Sequence, residues 1–254
     1  MSELFIKLLN MSISAGWLVL AVVLARVLLR RAPRWITVLM WAMVGVRLIC
    51  PISLESDLSI IPSAETVPQN IVYADTPTIH TGIGAVNSAV NPVISESFAP
   101  TPGDSVNPLG VLTEVAGYLW ALGVMIMLIY TLFSFISIKR RVREAVPHEG
   151  QIMLCDHVKS PFILGLIRPR IYLPSDISAA AMEYVTAHEM AHLGRGDHLW
   201  KPLGFLLLTL YWFNPLMWVA YILLCRDIET AWDERVLKKM GDGAKAPYSE
   251  ALIN

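Results

Sequence analysis

Apolar residues run almost unbroken from about Leu8 to Leu29 and give way to a basic cluster, Arg26, Arg30, Arg31 and Arg34. That is roughly the 20 residues needed to cross about 30 Å of hydrocarbon. A second apolar run follows at once, from Trp35 to about Ile49, and a third extends from about Leu109 to Ile138 before Lys139, Arg140, Arg141 and Arg143. The first two runs predict a transmembrane helical hairpin over 1–50, and the third predicts a further transmembrane helix over 108–138. The first run lacks the usual basic flank of a signal peptide and is too long for its h-region, so it is expected to stay in the mature protein as an anchor. A last apolar block, Leu203 to Cys225, is long enough for one crossing but carries Asn214-Pro215 in its middle. Proline there removes a helix hydrogen bond and restricts the preceding residue, which leaves open a kinked single span or a re-entrant hairpin over 203–225.

Both basic clusters face the cytoplasm by the positive-inside rule. Residues 51–107 then lie outside, and this segment contains no Lys or Arg. Its Pro, Ser, Thr and Val content predicts an extended, weakly ordered loop in preference to a small strand-rich flap. Residues 139–202 alternate in character. "GQIMLCD" and "SPFILGLIRPRIYLP" predict two or three short antiparallel strands around Ile152 to Leu154 and Ile171 to Leu173, either an edge on which an extended peptide could add or a small β-layer that only packs on the following helix. "SDISAA" then offers N-cap oxygens for a helix from Ser178 to about His198, and 226–254 reads as a cytoplasmic helix. Arg47, near the outer end of the second helix, reads as snorkelling to the headgroups.

Composition agrees with this pattern. With 55% hydrophobic and 16% charged residues, the chain is more apolar than a soluble domain. Its net charge of −1 gives no basic field, so direct nucleic-acid binding is not expected. Cys50, Cys155 and Cys225 are far apart and form no C-x-x-C pair, so they read as buried thiols.

One segment carries chemistry. "TAHEMAH" contains H-E-x-x-H, which on a helix puts His188 and His192 on one face, where both imidazoles can grip one zinc ion, with Glu189 placed as general base. A catalytic zinc site needs a third protein ligand. Two candidates present themselves. Glu229 in "RDIETAWDERVL" has Asp233 one turn further on, which could orient a ligand. His198 completes a longer metzincin-like spacing, although Arg195 stands where that pattern wants glycine.

The segments "HEMAHLGRGDHLWK", "SPFILGLIRPRIYLP", "YWFNPLMW" and "RDIETAWDERVL", preceded by "LMWAMVGVRLICPISLESDLSI", together resemble the beta-lactam-sensing antirepressor membrane metallopeptidases, the BlaR/MecR family. The resemblance covers most of the chain apart from 51–107. It implies a mainly α, polytopic fold with a small cytoplasmic α+β gluzincin-like zinc domain. It also implies Zn2+ on His188, His192 and Glu229, with Glu189 as the catalytic base and Asp233 or His198 in supporting or oxyanion-contact roles. Since His192 and Glu229 must then meet at one ion, the block between them has to leave and return on the same side, which favours the re-entrant hairpin.

By resemblance the activity is that of a membrane-embedded zinc endopeptidase in the bacterial plasma membrane, its active site cytoplasmic. Its partners would be the lipid bilayer and a peptide or protein substrate, with a homodimer left open by the sequence. A cytoplasmic transcriptional repressor or the protease itself is the leading substrate. A non-catalytic, zinc-braced signalling or scaffold protein and a housekeeping membrane-protein protease are the alternatives. Trp232 departs from the small residue or cysteine usual in the family. The sequence ends at Asn254 without an S-x-x-K sensor motif, so the expectation is the protease module without the penicillin-binding sensor domain.

Overall fold

The computed structural model describes residues 1–30, 32–33, 35–50, 66–74, 76–98 and 107–240, with the side chains of 179–180 and 232–240 outside that description. Arg31, Arg34, much of the segment 51–107, the side chains of Trp232 and Asp233, and residues 241–254 therefore lie outside the described residues. The chain is mainly helical. Its helices are α1 (Ser2–Leu28), α2 (Trp35–Ile49), α3 (Gly84–Phe98), α4 (Pro108–Arg141), α5 (Ala179–Arg195), α6 (Asp197–Leu210) and α7 (Pro215–Met240). Four short strands, β1 (Val146–Pro147), β2 (Ile152–Cys155), β3 (Phe162–Leu164) and β4 (Arg170–Pro174), separate α4 from α5.

Two of the described helices are long and apolar enough to cross a membrane: α1, and α4 with its 3-10 extension to Glu144. Helix α2 has 15 residues, about 22 Å at 1.5 Å per residue, which is short of the hydrocarbon thickness. The weakly ordered loop expected over 51–107 needs correction, because its described part contains a 3-10 turn (Gln69–Tyr73) and the 15-residue helix α3. The helix starts at Gly84, behind a turn in which the Asn87 carboxamide accepts from the Thr81 backbone and hydroxyl at 2.9 and 2.7 Å. Asn91 likewise exchanges two bonds with Ile79. Such side-chain bonds stabilise a helix start that its Val- and Ser-rich composition hides.

The chain forms two compact units. One comprises Met1–Arg31, Leu39–Met127 and Leu207–Ala220, and the other Ala32–Val38, Leu128–Leu206 and Tyr221–Asn254. Within the first, the turn between α6 and α7 has its polar groups satisfied by protein. The Trp120 indole donates to the Leu210 carbonyl (2.9 Å), and the Tyr211 hydroxyl donates to the Leu48 carbonyl (2.8 Å). Asn214 Nδ2 donates to Ser12 Oγ (2.6 Å), while its Oδ1 accepts from the Leu216 amide (2.9 Å) and so caps α7. Gly123 is required by this turn, because any Cβ there would stand 2.2 Å from the Trp212 ring. Arg47 donates to the Cys50 carbonyl at 3.4 Å, just past the end of α2.

The second unit holds a mixed sheet of order β1-β2-β4-β3, in which β2 and β4 run parallel and the other pairs antiparallel. Two expectations are corrected here. The sheet is not wholly antiparallel, and β2 with β4 forms its interior, so the free edges belong to β1 and β3. Along β4 the side chains alternate between two cores. Ile171 and Leu173 pack with Val185 of α5, whereas Tyr172 packs with Met153, Cys155 and Val142 at the end of α4. Cys155 is buried, Cys50 and Cys225 are half-buried, and all three are free thiols.

The helix expected from Ser178 to about His198 divides at Gly196. Ser178 caps α5 by accepting from the Ala181 amide. Gly196, at φ 74°, ends the helix in the left-handed region and donates back to His192 and Leu193. Helix α7 continues past Cys225, where the apolar hairpin was expected to end, because no proline or glycine interrupts it after Pro215 until Met240, so the second part of the apolar block and Glu229 lie on the same helix.

Candidate metal centre

Helix periodicity positions the first two donors. Val185, His188 and His192 stand three and four residues apart, so they share one face of α5. Val185 is buried against the sheet, which holds the face carrying the two imidazoles in a fixed orientation. Both histidines are buried, and their Nε2 atoms approach to 3.0 Å.

Helices α6 and α7 bring the third donor. In the second unit they pack closely at Gly204, where a Cβ would stand 3.1 Å from Leu224 and 3.4 Å from Tyr221, and the Phe205 and Tyr221 rings meet edge to face. Glu229 lies two turns further along α7 and directs Oε2 to 3.1 Å from His192 Nε2. Ligand atoms of His188, His192 and Glu229 all lie within 4.8 Å of one another. A side chain at Gly204 should therefore move Glu229. Gly204→Val is expected to cost about 1–3 kcal/mol of stability through overpacking and to weaken zinc retention. Thermal melting and zinc content of the purified variant check this, and unchanged zinc content would show that the helix spacing does not set the site.

The electrostatics suit a cation. Burial would depress the His192 pKa, but hydrogen bonds with Asp197 and Glu229 outweigh it and lift the pKa to about 9. The His192 hydrogen bond holds Glu229 down at about 2 against the opposing effect of burial, with Lys201 assisting. Burial raises the pKa of Glu189, the positive charge on His192 opposes the rise, and Glu229 adds to it. Two imidazoles and a carboxylate are the hard and borderline donors that suit zinc, with a coordination position left over.

Asp197 was not singled out from the sequence. It is 3% exposed and its Oδ2 lies 2.8 Å from His192 Nδ1. A carboxylate so placed would fix the tautomer of His192 and turn its Nε2 towards an ion held in the cluster. The signal was the Gly196-Asp197 step, because a left-handed residue one turn after His192 folds the next side chain back towards it. His198 lines the same cleft, of about 310 Å³, but is not in the donor cluster, and its buried Nδ1 has no hydrogen-bond partner among the described residues. Glu189, Lys201, Phe162 and Ile163 also line that cleft.

Comparison with known proteins bears on the whole chain. The sequence profile of the BlaR1 peptidase M56 family matches residues 6–254. A curated relative, "Regulatory protein BlaR1" of Bacillus licheniformis, is 32% identical over 157 residues, covering 53% of this chain and 26% of that protein. "Methicillin resistance mecR1 protein" of Staphylococcus aureus is 24% identical over 106 residues, covering 40% of this chain and 18% of that one. The matches thus span about a quarter or less of these relatives' own length. On the profile match, which extends over nearly all of its length, the chain belongs to the BlaR1 peptidase M56 family.

Proposed function

We propose that this chain is a membrane-embedded, zinc-dependent endopeptidase that acts as a regulatory protease in transmembrane signalling and cleaves a cytoplasmic repressor or itself. The observation that carries the reading is the convergence of His188, His192 and Glu229 beside Glu189 in one cleft. Among the described residues this group offers three donors, as in hydrolytic zinc sites, whereas a structural brace closes the ion with four. Bound there, zinc would supply Lewis-acid chemistry, polarising a carbonyl and acidifying water.

The protein's own groups do the rest. Asp197 holds the His192 ring, and Glu189 takes a proton from the attacking water and returns it to the leaving amine. His198 reaches the substrate side of the cleft, and Asp233 belongs to the same proposal as an outer support. Among the described residues strand β3 pairs only with β4, and it contributes Phe162 and Ile163 to the cleft. An extended substrate would add to its free edge, a mode in which backbone bonds give affinity and alternate side chains give selectivity.

The same proposal includes the topology. Helices α1, α2 and α4 span the membrane, the short α2 by local thinning of the bilayer, the α6–α7 hairpin re-enters it from the cytoplasmic face, and the basic residues at the ends of α1 and α4 mark the cytoplasmic side. The site then opens to the cytoplasm, where a repressor is reachable. The test is cleavage of a co-expressed repressor-type substrate by the full chain in lipid nanodiscs. Cleavage lost to a chelator and restored by zinc supports the reading. Chelator-insensitive cleavage overturns the zinc dependence, and cutting of unrelated unfolded membrane chains favours a housekeeping protease.

A further inference from the structure

Among the described residues that line the cleft, Lys201 is the one lysine or arginine. Lys201 stands one turn after Asp197 on α6, and its ammonium donates to Oε1 of Glu229, the oxygen that does not face His192. The two Glu229 oxygens are thus divided, with Oε2 directed to His192 Nε2 at 3.1 Å and Oε1 held by Lys201. We propose that Lys201 is a positioning residue that holds Glu229 as a one-oxygen ligand and so keeps a coordination position open for water. This inference rests on the zinc-site reading above.

Two considerations support it. A carboxylate free at both oxygens can chelate an ion with both, and in a site of three protein ligands the second oxygen would compete for the position that water needs. A charge-assisted bond to Oε1 opposes that rotation, and outer partners of this kind orient ligating carboxylates. Finally, α6 delivers both supports from one face, since Asp197 and Lys201 are four residues apart. Asp197 fixes one ligand and Lys201 another, so the first turns of α6 act as a template for α5 and α7.

The experiment uses the full chain in detergent as wild type, Lys201→Met and Lys201→Arg. Zinc affinity is measured by competition with a chromophoric chelator, and each protein is also loaded with Co2+ and its visible spectrum recorded. Four-coordinate cobalt absorbs more strongly than five-coordinate cobalt, so the spectrum reads the ligand count apart from activity. Lys201→Met is expected to weaken zinc about 10- to 100-fold, the range for outer-shell partners, and to shift cobalt towards the weaker five-coordinate spectrum. Lys201→Arg, which keeps the charge and a donor, is expected to restore both. A Lys201→Met protein with wild-type affinity and spectrum overturns the inference while leaving the zinc site standing. A wild-type chain that binds neither metal stoichiometrically overturns the zinc reading itself. A Lys201→Met chain that melts well below wild type is judged on Lys201→Arg, whose failure to restore the spectrum would also overturn the positioning role.

Discussion

Glu229→Ala will strip zinc from the purified chain and abolish cleavage, whereas His198→Ala will keep its zinc. The contrast follows from where the two side chains lie. Glu229 supplies the sole carboxylate of the donor group, and its Oε2 is within 3.1 Å of the His192 ring. His198 lines the cleft without entering that group. Removing Glu229 leaves two neutral imidazoles to hold a dication and deprives Lys201 of its partner. The expected loss of zinc affinity is at least about 100-fold, at or beyond the upper end of what outer-shell changes produce. Metal content after gel filtration, measured beside cleavage for both variants, decides the matter. Zinc retained by Glu229→Ala but shed by His198→Ala would transfer the third ligand to His198 and remove the reason for placing Glu229 at the site. A decrease in His198→Ala cleavage with full zinc content is compatible with its proposed contact to substrate.

How much of this was legible in the sequence depends on how local each signal is. His188, Glu189 and His192 could be read directly, because a helix converts a spacing of four into a shared face. Glu229 could not be read that way. It meets His192 across 37 positions of chain through a helical turn at Tyr211 to Asn214, and spacing alone could not choose between it and His198; the family resemblance made that choice. The turn itself was visible as Asn214-Pro215, but the residues that satisfy it, Trp120, Leu48 and Ser12, come from three distant parts of the chain. Asp197 was missed because its role depends on Gly196 leaving the helix in a left-handed conformation, a backbone event rather than a pattern of side chains. The sheet shows the same limit. Alternation identified short strands around Ile152 and Ile171, but it carries no information on which strand lies beside which. The parallel pairing of β2 with β4 therefore changed which edge is free to face a substrate. Helix α3 was hidden for a further reason: its β-branched and serine-rich sequence has weak helix propensity, and its start depends on side-chain bonds from Asn87 and Asn91.

Glu189→Gln should separate metal binding from catalysis most sharply, with cleavage reduced about 10²- to 10⁴-fold, the usual contribution of a positioned general base, and zinc content unchanged. Glutamine keeps the size and shape of the side chain but cannot accept a proton from water. The donor set does not include Glu189, so no ligand is lost. Its environment also predicts that the variant will fold. Burial raises the Glu189 pKa above 4.5 in the folded chain, chiefly by disfavouring the charged form. A carboxyl whose folded pKa is raised stabilises the fold only while protonated, and this contribution is lost as pH rises through the folded value, above which the ionised group works against folding. A neutral amide removes that penalty. Glu189→Gln in its metal-free form should therefore melt no lower than wild type at neutral pH, as expected where a functional site carries a burden for stability. Zinc content, melting temperature and cleavage rate on one preparation provide the check. Cleavage within about tenfold of wild type, less than a general base contributes, would remove Glu189 from the proton-transfer role. A lower melting point with lost zinc would show that its carboxylate supports the site rather than the reaction.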